Sequence, residues 1–260
     1  GAKQLAAAGA EAHRGDLEEP TTLRSGAEKV DAVIHCAFDH DFSRFVENCQ
    51  KDKRNIEAMG EALAGSQRPL IITSGAGLGS RGPGELSRED TFDAANHNPR
   101  KLSEETGAAV AAARGVNISY VRLPQVHDTR KQGLITPLVE LARAKGRVAY
   151  LGDGKNRFSA AHVSDVARLY RLAIEKAEPG ARWHAVAEEG VAMHDIAEAL
   201  GRALKLPVAS LSGDEATAYF GWMAMFAGMD APASSAITRK KLGWNPTGPG
   251  LIADLERLEA

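Results

Sequence analysis

Short apolar runs that end in small or polar residues alternate, over the first half of the chain, with longer stretches whose apolar positions recur every three or four residues. The segment VDAVIHCAF (30–38) is β-branched and apolar enough for a buried strand, LIITS after Pro69 repeats the pattern, and NISYVRL (117–123) repeats it again. Between them, Phe42, Phe45, Val46, Cys49, Ile56, Met59 and Leu63 fall at helical spacing and predict one long amphipathic helix from Asp41 to Leu63. A second helix is predicted from Pro99, a favoured first-turn residue, to Arg114, with Gly115 as its stop. Ahead of these, residues 2–9 read as a helix ended by Gly9, AEAHRGD as a short edge-like strand, and Pro20 to Leu23 as a brief helix start. Strands alternating with helices predict an α/β fold with a doubly wound parallel sheet, in which ligands meet the carboxyl ends of the strands.

The pattern changes near residue 125. LITPLVELARAKG and the segment from His162 to Lys176 are helical, with RVAYLGDG between them; ARWHAVA reads as a strand and HDIAEALGRAL as a helix. Short helices and Gly/Pro turns follow, and all three tryptophans (Trp183, Trp222, Trp244) lie in this half. We therefore divide the sequence into a sheet core over 1–125 and, over 126–260, the remaining core elements with a smaller α+β lobe that binds substrate. The apolar stretch Trp222–Met229 is expected to pack, with a greasy substrate wall as the alternative. Residues 75–98 are rich in Gly, Ser, Asp and Asn and lack periodicity, which suggests a flexible lid or a substrate-facing segment. They contain a literal GxGxxG (Gly77, Gly79, Gly82), but Pro83, Gly84 and Glu85 follow it in place of a helix. A phosphate fingerprint needs a helix there, for its free amides and its dipole.

Composition changes this picture little. Apolar residues are 43% and charged residues 25% of the chain, and the net charge of -2 gives no electrostatic pull toward nucleic acid or an anionic membrane. No apolar run approaches the ~20 residues of a membrane span and no secretory signal pattern is visible, so a cytoplasmic protein is expected. Cys36 and Cys49 are too few for a disulfide scaffold. His35, Asp39 and His40 do not repeat with ligand spacing, so no metal site is expected.

The ordered set GDL (15–17), VIHCAF (33–38), IITSG (71–75) and YVRLP (120–124) resembles the extended short-chain dehydrogenase/reductase family, which includes NAD-dependent epimerases and dehydratases. AAHVSDVARLY (160–170) and ITRKKLGWNPTGPGLIADL (237–255) are similar to later family segments, so the likeness spans nearly the whole chain. The resemblance implies a Rossmann-type sheet, NAD or NADP as cofactor, a small-molecule substrate and a homodimer through the two long helices. By the same resemblance, Asp16 and Leu17 lie along the adenine, and His35, Cys36, Ala37 and Phe38 pass the ribose. Thr73 and Ser74 end the strand that meets cofactor and substrate, and Pro124 borders the nicotinamide. Gly75, Ala76, Val126 and His127, with Asp128, begin the substrate wall. The family's glycine-rich phosphate loop would belong to a strand–helix unit of roughly thirty residues before Gly1. The expectation is thus an N-terminally incomplete fold lacking its first strand–helix unit, with weak or no nicotinamide binding by these residues alone. The strand that reads NAD against NADP lies in the same place.

The family's chemistry uses a tyrosine and, four residues later, a lysine. Tyr120, Tyr150, Tyr170 and Tyr219 all lie outside the corresponding segment, which reads Asn96-His97-Asn98-Pro99-Arg100-Lys101. His97 and Lys101 keep the spacing, and an imidazole can act as acid or base near neutral pH. Anchoring on Ser103 and Glu104 instead places Asn96 and Arg100 at the two positions, and both registers stand. With Ser74, these residues suggest an NAD(P)-dependent oxidoreductase moving hydride to or from a small carbonyl or alcohol. The alternatives are a non-catalytic NAD(P)-binding sensor and a sugar-nucleotide epimerase or dehydratase.

Overall fold

The computed structural model describes residues 1–259, apart from the Met225 side chain. Two packing units interleave along the chain: one comprises 1–73, 97–120 and 177–181, the other 74–96, 121–176 and 182–260, whereas the sequence reading divides the chain once, near 125.

In the first unit, β1 (Val33–His35) and β2 (Pro69–Gly75) run parallel, with Val33 opposite Leu70 and His35 opposite Ile72. β3 (Asn117–Leu123) lies next to β2 in the same sheet, and β7 (Arg182–His184) is counted with the second unit. Strands following one another across a sheet with helical crossovers are the expected half of a doubly wound fold. α3 (Phe45–Leu63) and α4 (Lys101–Arg114) supply the crossovers, after the short helices α1 (Ala2–Ala7) and α2 (Pro20–Ala27). Ile56, Met59 and Leu63 of α3, Leu70 and Ile72 of β2, Val110 of α4 and Ile118 and Tyr120 of β3 form one buried core. Gly107 lets α4 close on the sheet, since a Cβ there would sit 2.7 Å from Ile72 Cδ1 and 2.8 Å from the Tyr120 hydroxyl.

Three expectations are corrected by local chemistry. The long helix does not start at Asp41: that carboxylate accepts the Ser43 amide and caps a separate 3₁₀ turn, Phe42–Arg44, and α3 begins at Phe45. α4 begins at Lys101, not Pro99, because Asn98 accepts the Arg100 amide on its side chain (2.9 Å) and the Lys101 amide on its carbonyl (3.1 Å), which holds Pro99 and Arg100 in a turn. AEAHRGD forms no strand; Asp16 turns the chain, accepting the Glu18 amide at 2.9 Å and making a single bridge with Glu19.

The second unit contains a three-stranded sheet ordered β4-β6-β8, with β4 (Gln125–His127) parallel to β6 (Arg157–His162) and β6 antiparallel to β8 (Glu188–Ala192). A parallel pair joins β5 (Val148–Leu151) to β9 (Val208–Leu211). Its helices are α5 (Ile135–Lys145), α6 (Val163–Lys176), α7 (Met193–Leu204), α8 (Gly213–Phe220), α9 (Ala224–Ala227), α10 (Ala236–Leu242) and α11 (Leu251–Leu255). Leu138 and Val139 of α5, Phe158 of β6, Ile196 and Leu200 of α7 and Leu251 of α11 meet in its core. The Trp222–Met229 stretch splits: Met223 and Ala227 are buried, while Trp222 is 58% exposed.

The segment after β2 is not a free lid. It opens with a 3₁₀ turn, Ala76–Gly79, and the Arg88 amide returns to the Gly79 carbonyl at 3.0 Å. Backbone bonds from Ser87 to Pro232 and from Ser234 to Ser87 add it to a neighbouring stretch. Buried Glu89 accepts the Thr238 amide and hydroxyl, both at 2.9 Å, and buried Arg122 donates to the Thr91 carbonyl at 2.9 Å. The polar composition that suggested mobility is spent on these bonds.

Candidate functional site

The first unit gathers its polar chemistry on one face of α3. Asn48, Lys51, Asp52 and Asn55 stand at i, i+3, i+4 and i+7, so they share that face, and all four are buried. Each works on a different loop. Asn48 donates to the Asp41 carbonyl at 2.9 Å, and Asn55 to the Leu17 carbonyl at 3.2 Å. Lys51 donates to Asp39 at 2.9 Å and pairs with Glu18. The Oδ1 atoms of Asn48 and Asn55 are buried without a hydrogen-bond partner among the described residues, an arrangement that ordered water usually completes.

Asp52 is the centre. Its Oδ1 accepts from His35 Nε2 at 2.7 Å; its Oδ2 accepts from Arg100 Nη1 at 2.5 Å and from the Ser103 hydroxyl at 2.6 Å. His35 ends β1, Arg100 immediately precedes α4, and Ser103 lies in the first turn of α4, so one carboxylate ties three elements together. Burial by itself would raise the Asp52 carboxyl, but the His35 hydrogen bond, the Arg100 charge and the Ser103 hydroxyl outweigh it and hold the group below the usual carboxylate range. An ionised carboxylate only accepts, so His35 presents its proton on Nε2.

Arg100 is equally constrained. Its Nη2 donates to the Thr73 carbonyl near the end of β2 at 2.9 Å, its Nη1 also meets Ser103, and the Phe38 ring lies 3.9 Å from its guanidinium carbon. A planar fork suits such a site better than an ammonium would. The guanidinium is thus fixed where the ends of the parallel strands β1 and β2 adjoin, the side of a doubly wound sheet that receives ligands.

The sequence-predicted residues fall out as follows. In the first unit, His35, Phe38 and Thr73 join the Arg100 cluster, while Cys36 and Ala37 are exposed beside it and the Thr73 hydroxyl points at Cys36 Sγ, 3.6 Å away. Asp16 is exposed and Leu17 half-buried, and Asn55 holds the Leu17 carbonyl. His97 is exposed in the irregular segment before α4. Lys101 opens the helix and lies 3.8 Å from Glu105. His97 therefore precedes α4, and His97 and Lys101 do not share a helix face. In the second unit, Ser74 and Ala76 are buried, Gly75 ends β2, Pro124 lies half-buried between β3 and β4, and Val126 is half-buried in β4. His127 is buried, its Nδ1 2.7 Å from Asp254, so its imidazole belongs to the interior of that unit. Among the described residues no group of three His, Cys, Asp or Glu side chains is disposed to hold a metal, and no helix is long and apolar enough to cross a membrane.

Sequence reasoning missed Asp52 and left Arg100 as one of two registers. The signal available was the second stripe on α3: polar residues at helical spacing beside the apolar stripe Cys49, Ile56, Met59 and Leu63.

The sequence profile of the NAD-dependent epimerase/dehydratase family matches residues 2–186. The chain belongs to that family. An uncharacterized protein of Schizosaccharomyces pombe is 43% identical over 255 residues, covering 98% of this chain and 86% of its own length. An uncharacterized protein of Saccharomyces cerevisiae is 37% identical over 243 residues, covering 93% and 81%. Among solved structures, a double mutant of the dTDP-glucose 4,6-dehydratase DesIV from Streptomyces venezuelae, with NAD bound, superposes with a TM-score of 0.74 at 16% identity, covering 94% of this chain and 76% of that one. RMD from Pseudomonas aeruginosa, complexed with NADPH, superposes with a TM-score of 0.69 at 17% identity, covering 94% and 88%. At those identities the superpositions establish the family's α/β fold.

A nicotinamide dinucleotide, the cofactor in the family's name, can be tested against the residues themselves. The first unit fits its ribose and ring portions: a fixed cation, an aromatic ring and the ends of adjacent parallel strands are gathered there. The glycines at 77–82 do not fit its pyrophosphate. Gly79 is pressed onto the Arg88 backbone, and the 3₁₀ turn is followed by no helix.

Proposed function

We propose that this protein is an NAD(P)-dependent oxidoreductase that moves hydride between the nicotinamide and a small carbonyl or alcohol. The observation that carries the reading is Arg100, a nearly buried cation fixed by Asp52, Thr73 and Phe38 at the ends of the parallel strands. Asp16, Leu17, His35, Cys36, Ala37, Phe38, Thr73 and Lys101 are the proposed cofactor-side residues of the first unit. When bound, the nicotinamide supplies or accepts the hydride. A guanidinium cannot release a proton at any working pH, so Arg100 holds and polarises but does not act as acid or base. That leaves His97 as the proposed proton donor and acceptor, since an imidazole exchanges its proton near neutral pH. Tyr120 is unsuited to the role, being buried with its hydroxyl donated to the Glu104 carbonyl at 3.1 Å. In the second unit, Ser74, Gly75, Ala76 and Val126 stand as proposed substrate-side residues, and Pro124 as a proposed cofactor contact.

A sugar-nucleotide epimerase or dehydratase is the second reading, favoured by solved relatives such as MoeE5, which was determined with UDP-glucose and NAD. The two readings differ in their redox balance. A simple oxidoreductase consumes one cofactor per turnover; an epimerase or dehydratase returns it to its starting state. The protein is therefore incubated with NAD(P)(H) and panels of carbonyls, alcohols and UDP- and dTDP-sugars, with nicotinamide absorbance and product isomers both followed. We expect net cofactor oxidation or reduction with a substrate that carries no nucleotide. Isomerised or dehydrated sugar nucleotide without net absorbance change selects the second reading, and saturable binding without any conversion selects a sensor.

A further inference from the structure

We propose that Asp52 is a positioning residue that also sets the charge presented to the nicotinamide; the inference rests on the proposed cofactor site. The Asp52–Arg100 pair is 2% and 13% exposed at its side chains and 2.5 Å apart, so the carboxylate cancels the guanidinium charge where solvent cannot. The groups facing the pair are His35 on the other carboxylate oxygen, Ser103, the Thr73 carbonyl and the Phe38 ring. The Asp52–Arg100 pair is one anion against one cation, with His35 held on the remaining carboxylate oxygen. Elsewhere on the same face of α3, Lys51 is matched by Asp39 and Glu18.

The consequence concerns which form of the cofactor the site prefers. The oxidised nicotinamide ring is cationic and the reduced ring is neutral, so a fixed charge beside the ring changes the affinity of one form and spares the other. A bare Arg100 would disfavour the oxidised form. Paired with Asp52, it fixes the site's geometry while adding little net field. Asp52 thus supports both forms, as reversible hydride transfer requires, and holds the walls formed by His35 and Arg100.

The test is the ratio of dissociation constants for oxidised and reduced cofactor, measured by calorimetry on the wild type, Asp52→Asn, Asp52→Glu and Arg100→Met. Asp52→Asn keeps the shape and loses the anion, so the oxidised-to-reduced Kd ratio is expected to rise about fivefold or more. Arg100→Met strands the anion, and the ratio is expected to fall. Asp52→Glu keeps the charge and is expected to leave the ratio near that of the wild type even where both affinities drop. A merely structural role moves both forms together in every variant, so ratios unchanged within twofold in Asp52→Asn and Arg100→Met overturn the proposal. If Asp52→Asn does not fold, the Arg100→Met and Asp52→Glu ratios decide it. A further readout without cofactor is the ¹⁵N spectrum of His35: a proton on Nε2 in the wild type, exchanging faster or lost from that nitrogen in Asp52→Asn, is expected, and an unchanged spectrum counts against the positioning role. A wild type that binds neither form refutes the cofactor site itself, an outcome distinct from binding with unshifted ratios.

Discussion

Cys36 and Cys49 sit thirteen positions apart yet in opposite settings, and they report on the site directly. Cys36 is exposed at the end of β1, whereas burial pushes the Cys49 thiol up to about 11. Alkylation of the native protein followed by peptide mass spectrometry should label Cys36 and spare Cys49, and NAD(P)(H) should slow the Cys36 reaction; equal labelling with and without cofactor would remove Cys36 from the proposed site. Asp52 makes a second residue-scale prediction. Its folded-state carboxyl lies below the unfolded value of about 3.9, so its stabilising contribution is fully present above that pH and is lost as pH falls through the depressed folded value. Asp52→Asn should cost about 3 kcal/mol or more at neutral pH by stranding Arg100, with the gap to wild type narrowing in acid; urea titrations across pH check both. The strand ends that carry His35, Phe38 and Thr73 were legible as the ends of apolar runs, and the family resemblance singled those residues out. Asp52 was not, because the apolar period of its helix masks a polar stripe and its three partners come from distant parts of the chain.

α3 and α4 show what periodicity can and cannot say about an element. Their existence follows from apolar spacing and from Gly115, which caps α4 at φ 65°. Their starts depend on side chains that bond the backbone locally, Asp41 and Asn98, and hydrophobic period carries no trace of those bonds. The start of α4 matters for chemistry, because it leaves His97 off the helix and turns Arg100 into the Asp52 cluster. Packing between α4 and the sheet depends on Gly107. Gly107→Ala should destabilise the protein by about 1–2 kcal/mol, since overpacking against Ile72 and Tyr120 exceeds the helix-propensity gain; a raised urea midpoint would contradict the contact. The 76–91 segment teaches the converse lesson. Its composition reads as a mobile loop, but its bonds to 232–238 and Arg122 span too much sequence for any local signal to reveal.

At the scale of the molecule, the α/β class and the family were readable from motif order along the chain, and the rejection of the glycine triplet at 77–82 from the residues that follow it. The interleaving of the two packing units was not, because it follows from where β2 and β3 pass from one unit to the other. The outer faces of α3 and α4 carry Glu57, Glu105, Ala109 and Ala113, with small residues between charges, and we propose them as the homodimer face. Light scattering should give twice the monomer mass of 27.6 kDa for a chain of this length, and a strictly monomeric mass would exclude that face. The central claim, that Arg100 held by Asp52 is the fixed cation of a nicotinamide site, is tested most directly by titrating NADH and NADPH into the full-length wild-type protein and its Arg100→Ala variant in the calorimeter. The account predicts saturable binding of at least one of them by the wild type and an affinity about tenfold or more weaker in the variant, the scale of a lost charged hydrogen bond. Equal affinities in the two proteins, or a wild type that binds neither, would contradict it.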